Sequence, residues 1–202
     1  MGGGGEKRTV DGTAMGQLRK KDGCEMTAEE ICDILRKRFN GAVVNTVLDA
    51  RRPYAVIAAN KWAEIALFLR DDERLGFNML QCISSIDLIK ENRLGAVYDL
   101  YSVPPASGQH CPKLRHHFAV RVEVDRGDPH IPSVAHVWPA ADWHEREAYD
   151  LMGIIFDGHP NLERILCPDD WEGHPLRKDY EFPREYHGIP ATTEHDLPSP
   201  RH

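Results

Sequence analysis

The sequence predicts an α+β fold in which helices pack on an antiparallel sheet, followed by a short capped helix and a long extended C-terminal arm. Four patterns carry this prediction. Apolar residues recur at helical spacing in two segments, near 31–39 and 62–69, and β-rich runs follow one another at hairpin spacing. Over residues 118–125 apolar and polar residues alternate, which is typical of a strand with one buried face and one solvent-exposed face. From Phe156 onward, proline and glycine recur too often for regular structure.

The chain is expected to begin with a flexible arm over residues 1–24, because this segment lacks periodicity and is rich in Gly, Lys, Arg and Asp. The α+β domain is predicted to span residues 25–138. Its first helix starts after Thr27, a suitable N-cap, and Glu30 stands three residues later to complete a capping box. Gly41 follows the end of the helical pattern.

The sheet and its second helix follow in order. Two β-rich runs, 43–48 and 54–58, are predicted to form a hairpin around a charged turn. Asn60 is the expected N-cap of the second helix, whose apolar face ends before Gly76. Three further strands are predicted, over residues 79–88, 96–103 and 115–124.

A short helix and an extended partner-binding arm are predicted for residues 139–182. Asp142 is the expected N-cap, Glu145 the residue that completes a capping box, and Gly153 the stop signal. The loop-like segment that follows is too apolar for a disordered tail, so we expect an extended arm that lies against another surface. Residues 183–202 form the predicted C-terminal tail.

Composition and charge exclude several classes of protein. The chain has 202 residues with 32 acidic and 25 basic side chains, a net charge of −7, so it has no positive field to attract nucleic acid. No apolar run approaches the ~18 to 20 residues that span a bilayer, and no secretory signal is expected. The five cysteines include no CxxC pair, which favours free thiols over an iron–sulfur cluster or zinc site.

Candidate catalytic patterns are incomplete. The segment from His144 begins like a zinc-protease helix, but Ala148 occupies the position of the second histidine. Two of the many carboxylates could form an acid/base pair for hydrolysis, but most have a basic residue within four positions, which favours ion pairs. The carboxylates considered are Glu145, Glu147, Asp150, Asp157, Asp169 and Asp170.

The run from Trp138 to Asp179 carries several motifs at fixed spacing. These are ERE at 145–147, YDLMGI at 149–154, GHP at 158–160, RIL at 164–166 and DDWEGHPLRKDY at 169–180. The run closely resembles the signature of the thirty-kilodalton subunit (the C subunit) of proton-pumping NADH:quinone oxidoreductase (respiratory complex I). The sequence departs from the family pattern at Ala140, Asp142, Glu163 and Glu181.

The resemblance implies a cofactor-free structural subunit of the peripheral arm, on the cytoplasmic side of the cell membrane and inactive in isolation. The complex transfers electrons from NADH through FMN and iron–sulfur clusters to quinone and couples this to proton translocation. The implied partners are the quinone-pocket subunit and neighbouring iron–sulfur subunits. The predicted partner interface comprises charged and aromatic residues of the matching motifs: Glu145, Arg146, Glu147, Asp150, His159, Arg164, Trp171, His174, Arg177, Lys178 and Asp179.

Two alternatives remain open at this point. The nearer one is the equivalent subunit of a related F420H2 dehydrogenase or membrane-bound energy-converting hydrogenase, because their corresponding subunits are similar. The distant one is a stand-alone hydrolase that uses His144, Glu145 and Glu147. Proteins that co-purify with the chain would distinguish a subunit of a related complex from a subunit of complex I. Activity of the chain alone would support the hydrolase.

Overall fold

The computed structural model describes residues 26–103 and 116–190. The flexible arm expected over residues 1–24 lies outside the described residues, and so does the predicted tail from residue 191 onward. The helices are α1 (Ala28–Arg38), α2 (Trp62–Asp71) and α3 (Ala141–Met152). The strands are β1 (Val43–Val47), β2 (Tyr54–Ile57), β3 (Met79–Leu88), β4 (Arg93–Tyr101), β5 (His117–Asp125), β6 (His130–Pro132), β7 (Ile155–Asp157), β8 (Glu185–Tyr186) and β9 (Ile189–Pro190).

The predicted α+β class is confirmed, and the main sheet has five strands in the order β1-β2-β5-β4-β3. Its one departure from an antiparallel sheet is the parallel pairing of β2 with β5. The chain leaves β2 through α2 and enters β3 at the opposite edge in the same direction. Since β3, β4 and β5 alternate in direction, β5 then runs parallel to β2. The sheet is therefore mixed.

The first helix forms as its sequence predicts. The hydroxyl oxygen of Thr27 accepts from the Glu30 backbone N–H at 3.2 Å, and the Thr27 N–H donates to the Glu30 carboxylate at 2.8 Å. This is a complete capping box. The buried side chains of Ile31, Cys32 and Leu35 fix the helix to the apolar core.

The predicted ends of the second helix are wrong by a few residues. Asn60 lies within a 3-10 turn, and α2 starts after Lys61 without a side-chain cap. The helix ends at Asp71 because the carboxylate of Asp72 accepts from the backbone N–H of Arg74 at 3.0 Å and starts a turn. Such local side-chain bonds compete with helix continuation.

One apolar core spans the sheet and the segment that follows it. The rings of Trp62 and Tyr98 lie 4.4 Å apart between α2 and β4. Helix α3 packs against β3, and Met152 and Phe156 belong to the same buried cluster as the sheet residues. The domain boundaries predicted at residues 138 and 182 stay predictions.

Short strands frame an otherwise irregular C-terminal segment. Strands β6 and β7 form a parallel pair that the sequence did not predict, with Ile131 opposite Phe156. The described stretch 158–184 contains no helix or strand, in agreement with its proline and glycine content. It ends in the β8–β9 hairpin.

Gly95 provides a test of the packing of the sheet. A Cβ atom at this position would lie 3.0 Å from the Ile86 side chain and 3.1 Å from the backbone oxygen of Val122. We expect Gly95→Ala to lower the free energy of unfolding by about 1 to 3 kcal/mol, because the backbone neighbour cannot move freely. Gly127→Ala is the control, since its added methyl meets only the exposed side chain of Asp125. Equal denaturant midpoints for the two variants would contradict the packing argument.

Candidate functional site

The buried carboxylate of Asp150, near the end of α3, organises the segment that follows the helix. The Asp150 side chain is fully buried and pairs with the Arg164 guanidinium, Nη1 to Oδ1, at 3.0 Å. Its second oxygen accepts from three consecutive backbone N–H groups, those of Ile165, Leu166 and Cys167, at 3.1, 2.7 and 2.9 Å. This arrangement fixes residues 164–167 against α3.

These contacts also determine the ionisation state of Asp150. Burial by itself would raise the pKa of this carboxyl group, but the N–H groups of Cys167, Leu166 and Ile165 outweigh it. The pKa of Asp150 therefore lies below its usual range, and the group is an anion at neutral pH. A buried anion with this set of partners is a structural anchor.

The C-terminus of α3 is capped by the same irregular segment. The backbone oxygens of the last three helical residues accept from His174 Nδ1 at 2.9 Å, from the Leu176 N–H at 3.0 Å and from Arg177 Nε at 2.8 Å. The last backbone carbonyl groups of a helix have no partner within the helix, so these hydrogen bonds satisfy carbonyl groups that would otherwise lack one. Residues 174–177 therefore serve as the C-terminal cap of α3.

Gly153 allows this cap to approach closely. It adopts φ 71°, and a Cβ atom there would overlap the imidazole ring of His174. The pKa of His174 is lowered by burial, and the nearby charges of Arg177 and Arg164 lower it further. A neutral imidazole with its proton on Nδ1 fits the bond to the Asp150 backbone oxygen. The predicted stop signal at Gly153 is confirmed.

A second anchor lies where the arm crosses the end of β3. The carboxylate of Asp87, buried in the sheet, accepts from the Lys178 backbone N–H at 2.8 Å. The Arg126 guanidinium bonds both Asp87 and Asp179 and so bridges the sheet to the arm. Burial would raise the pKa of Asp87, but the Lys178 N–H and the Arg126 side chain hold it below its usual range.

These contacts show that residues 174–179, which belong to the predicted arm, pack against the helix and the sheet of the same chain. The Arg177 guanidinium is bonded within the chain to the Met152 backbone oxygen. Asp179 pairs with Arg126, which is 53 residues distant in sequence. The Lys178 side chain is exposed although its backbone is anchored. Sequence periodicity could not reveal this packing, because the partners are backbone groups and residues far away in the chain.

The predicted capping box at Asp142 and Glu145 is wrong. Helix α3 follows Ala140, which makes no side-chain cap bond, and Asp142 lies in the first turn. Glu145 instead points inward and is fully buried, accepting from Ser133 Oγ at 2.6 Å and from the Val134 N–H at 2.8 Å. Burial raises the pKa of Glu145 to about 7, although these two hydrogen bonds oppose the shift.

The exposed side of α3 and the arm carries apolar side chains. Trp143 is 64% exposed, Leu166 60% and Leu176 55%. The Arg146 guanidinium lies 5.3 Å from the Trp143 ring centroid, and its Nε donates to the Glu163 backbone oxygen at 3.3 Å. Large apolar side chains close to cationic ones are typical of a protein-binding surface.

The structure divides the predicted interface residues into three groups. The side chains of Glu145, Asp150 and His159 are fully buried and bind partners within the chain. Five more are half-buried: Arg146, Arg164, Trp171, His174 and Arg177. Glu147, Lys178 and Asp179 are exposed. That these residues form a partner interface stays a prediction.

Sequence reasoning missed three residues that hold the site together: Asp87, Arg126 and Ser133. They lie in the sheet or the loops after it, outside the motif-rich run, and their local sequence contains no signal. Only the fold brings Asp87 to the backbone of Lys178, 91 residues later. The fold also brings Ser133 to Glu145.

The geometry does not bring the hydrolase residues together. Glu145 is turned into the core, whereas His144 lies at the surface with Nδ1 3.9 Å from the carboxylate of Glu147. Within the described ranges, no group of three His, Cys, Asp or Glu side chains is placed to hold a metal ion. In this part of the chain the site is an anchored arm beside an exposed aromatic residue, with features of protein binding.

The described residues form an α+β fold with a self-anchored arm and exposed apolar side chains, a combination that is typical of proteins that bind other proteins. The sequence pattern of the family described as the respiratory-chain NADH dehydrogenase, 30 Kd subunit, matches residues 55–186. The chain belongs to this family.

Relatives and solved structures agree with this assignment. The chain is 47% identical over 141 residues to the NADH-quinone oxidoreductase C subunit of Chlorobium phaeobacteroides, which covers 69% of this chain and 80% of the relative. It is 45% identical to the C subunit of the same enzyme from Chloroherpeton thalassium, over 69% of this chain and 55% of that relative. The chain therefore spans little more than half the length of some of its relatives.

Two solved structures share the fold. A trypsin-resistant fragment of Nqo5 superposes with a TM-score of 0.52 at 30% identity, covering 68% of this chain and 100% of the fragment. A chain of the membrane-bound sulfane sulfur reductase, an archaeal respiratory membrane complex, superposes with a TM-score of 0.60 at 25% identity. The latter match covers 76% of this chain and 85% of that chain.

The substitution Asp150→Asn tests whether the buried carboxylate stabilises the protein and its arm. Asp150→Asn removes the charge that balances Arg164 and that accepts three N–H groups, so we expect a loss of about 3 kcal/mol in the free energy of unfolding. Trypsin should also cleave after Arg164 faster than in the unmodified chain. Glu147→Gln, on the exposed face of α3, is the control. If Asp150→Asn matches the control in melting temperature and cleavage rate, the anchor is unimportant.

Glu145 generates a prediction for pH dependence. Its pKa is about 7 in the folded protein and 4.5 in its ordinary state, so between these values the folded protein holds a proton that the unfolded chain has released. The free energy of unfolding should therefore fall as pH rises from 4.5 to 7, by about 3 kcal/mol at ~1.4 kcal/mol per pKa unit.

Glu145→Gln should remove this component, since the amide can accept from Val134 and does not titrate. Denaturant unfolding at several pH values measures the difference between the variant and the unmodified chain, with Glu147→Gln as the control for a surface charge. Parallel pH profiles for the unmodified chain and Glu145→Gln would show that Glu145 is ionised throughout.

Proposed function

We propose that this chain is a cofactor-free structural subunit of the peripheral arm of an NADH:quinone oxidoreductase, and that it is inactive when isolated. The complex would transfer electrons from NADH through FMN and iron–sulfur clusters to quinone and couple this to proton translocation. The single observation that carries the proposal is the anchored arm of residues 158–182, which belongs to the matched family region and exposes apolar side chains.

The proposed role follows from the energetics of the arm. An arm that is already fixed by Asp150 and Asp87 does not have to be ordered when a partner binds, so little affinity is lost to conformational entropy. Electron transfer and quinone chemistry depend on the relative positions of subunits, which a rigid clamp can hold. The chain would contribute position and no reacting group.

The proposed partners are the quinone-pocket subunit and neighbouring iron–sulfur subunits, on the cytoplasmic side of the cell membrane. Among the described residues, no helix is both long enough and apolar enough to cross a bilayer. We propose that the chain reaches the membrane through the complex, and that Trp143, Leu166 and Leu176 contact its partner subunits.

A second candidate is the equivalent subunit of a related membrane-bound complex, such as an F420H2 dehydrogenase or an energy-converting hydrogenase. The observation that favours it is the structural similarity to a chain of an archaeal respiratory membrane complex. The two candidates differ in their electron-input subunits, which a purified complex would contain.

Affinity purification of the tagged chain from detergent-solubilised membranes tests the proposal. We expect FMN- and cluster-bearing subunits and NADH:quinone activity in the eluate, whereas the isolated recombinant chain should be colourless and inactive. A hydrogenase or F420H2-oxidising subunit in the eluate would favour the second candidate. Recovery of the chain alone from membranes with active complex would overturn both.

Trp143 tests the proposed binding surface. Removal of an exposed interface tryptophan costs about 2 kcal/mol or more when it is a hot spot, which is a loss of about 30-fold in affinity. We expect Trp143→Ala to reduce recovery of the complex while the melting temperature of the isolated chain stays within about 2 °C, since the side chain is 64% exposed.

Val44→Ala is the control, because Val44 is also 64% exposed but lies on β1, outside the anchored arm. Arg146→Ala, which removes the cation beside the Trp143 ring, should weaken the complex as well. Full recovery of complex with both Trp143→Ala and Arg146→Ala would place the interface elsewhere.

A further inference from the structure

A cavity of about 430 Å³ lies where the arm meets the β8–β9 hairpin. Its walls come from residues 170–172, from residues 180, 181 and 183, and from residues 185–187 of the hairpin. Three aromatic rings line it, those of Trp171, Tyr180 and Tyr186.

The aromatic walls are held in place by bonds to the arm. The rings of Trp171 and Tyr186 lie 5.1 Å apart at 54°, and the Tyr186 hydroxyl donates to Asp170 at 2.9 Å. The Tyr180 hydroxyl donates to the Glu172 backbone oxygen at 3.0 Å. The Tyr180 ring lies over Gly173, where a Cβ atom would come within 2.8 Å of it.

The hairpin that closes the cavity is also defined by its backbone. His187 and Gly188 both have positive φ angles, 52° and 78°, between the short strands β8 and β9. Two positive values at the centre of a two-residue hairpin loop are the signature of a type I′ turn. This turn places Tyr186 and His187 at the wall of the cavity.

The cavity is strongly acidic. The carboxylates of Glu172, Glu181 and Glu185 line it and are exposed, and no ion pair links them to any of the described residues. Asp170 is engaged by Tyr186 and His187. Aromatic ring faces attract cations through their quadrupole, so both the rings and the carboxylates favour a positively charged ligand.

The acidic side chains surround the cavity and do not converge on one point. No group of three His, Cys, Asp or Glu side chains in the described ranges could hold a metal ion, which disfavours an inorganic cation. Phosphate and carboxylate ligands are excluded by charge. The remaining ligand class is an organic cation, of which the arginine and lysine side chains are the ones that proteins supply.

We propose that this cavity is a docking site for an arginine side chain on an exposed basic segment of a neighbouring subunit. A guanidinium is planar, stacks on aromatic faces and donates in a fork to carboxylates, so it satisfies both components of the cavity. The cavity is larger than one guanidinium and leaves room for flanking residues. The inference rests on the proposed function and deepens it, because it gives the chemistry of one contact between subunits.

Direct binding can be measured on the full chain with a defined probe. The probe is the acetylated, amidated tripeptide Gly-Arg-Gly, and its citrulline counterpart is the neutral control. The chain has four tryptophans, and the Trp171 indole N–H has no hydrogen-bond partner among the described residues, so its NMR signal can report on binding. We expect saturable shifts with the arginine peptide and at least ~10-fold weaker binding of the citrulline peptide. Equal binding of both peptides, or no shift, would overturn the proposal.

Two sets of variants separate ring and charge contributions. Tyr186→Leu removes the aromatic ring and should weaken binding of the arginine peptide by at least ~10-fold. The triple change of Glu172, Glu181 and Glu185 to Gln should weaken binding to a similar degree. The matched control changes three exposed acids outside the cavity to Gln: Glu29, Glu73 and Glu91.

The chain's own basic residues near the N-terminus are a competing occupant. If a chain lacking residues 1–22 binds the arginine peptide while the full chain does not, the occupant is internal and the proposal of a neighbouring subunit is wrong. Equal binding by both chains supports the proposal.

The purified complex separates failure of this inference from failure of the proposed function. The tagged chain in which Glu172, Glu181 and Glu185 are changed to Gln should recover at least ~10-fold less complex after a salt wash than the unmodified chain. The tagged chain with the three control substitutions should recover as much complex as the unmodified chain. Full recovery with both triples would overturn the inference and leave the proposed function intact. If the unmodified chain recovers no complex, the proposed function fails, and the peptide titration still decides whether the cavity binds arginine.

Discussion

The carboxylate of Asp150 is the constraint on which the C-terminal half of the structure depends. An ion that is fully buried must be paired and hydrogen-bonded, and here every partner comes from residues 164–167. Once this segment is fixed, the chain can reach the open end of α3 with His174, Leu176 and Arg177. An irregular segment is thereby held in one conformation without a helix or strand of its own.

The anchored arm supports the proposal that this chain presents a preformed binding surface to other subunits. A disordered segment that folds on binding loses affinity to the entropy of ordering. Here the ordering free energy is supplied within the chain, by buried Asp150 on one side and by Asp87 with Arg126 on the other. The apolar side chains of Trp143 and Leu166 can then remain exposed at fixed positions. This supports the proposed role of a rigid spacer between subunits that carry the cofactors.

Sequence reasoning predicted the regular elements well, because they depend on local signals. The capping box at Thr27 and Glu30 and the stop at Gly153 are determined by neighbouring residues and were found. The same local rule misassigned Glu145, since a glutamate three residues after an aspartate looks like a cap whether or not it is buried. Its true partner, Ser133, lies on the preceding segment and depends on the tertiary fold.

The packing of the arm could not be predicted for the same reason. A carboxylate that binds three backbone N–H groups leaves no residue-type signal at Ile165, Leu166 or Cys167. The parallel pairing of β2 with β5 is likewise a property of the topology. Alternation of polar and apolar residues predicts the face of the sheet on which a side chain lies, but it does not predict the direction of the neighbouring strand. The resemblance to a known family predicts the function of the chain, but it does not predict the contacts of the arm.

The central question is whether the arm is held in place by the chain itself. Amide hydrogen exchange of Ile165, Leu166 and Cys167 in the purified, isolated chain measures this. We predict that these three amides exchange at least ~100-fold more slowly than in an unstructured peptide of the same sequence, because each donates to buried Asp150. Exchange at the rate of the unstructured peptide would show that the arm becomes ordered only on a partner, and would contradict the account.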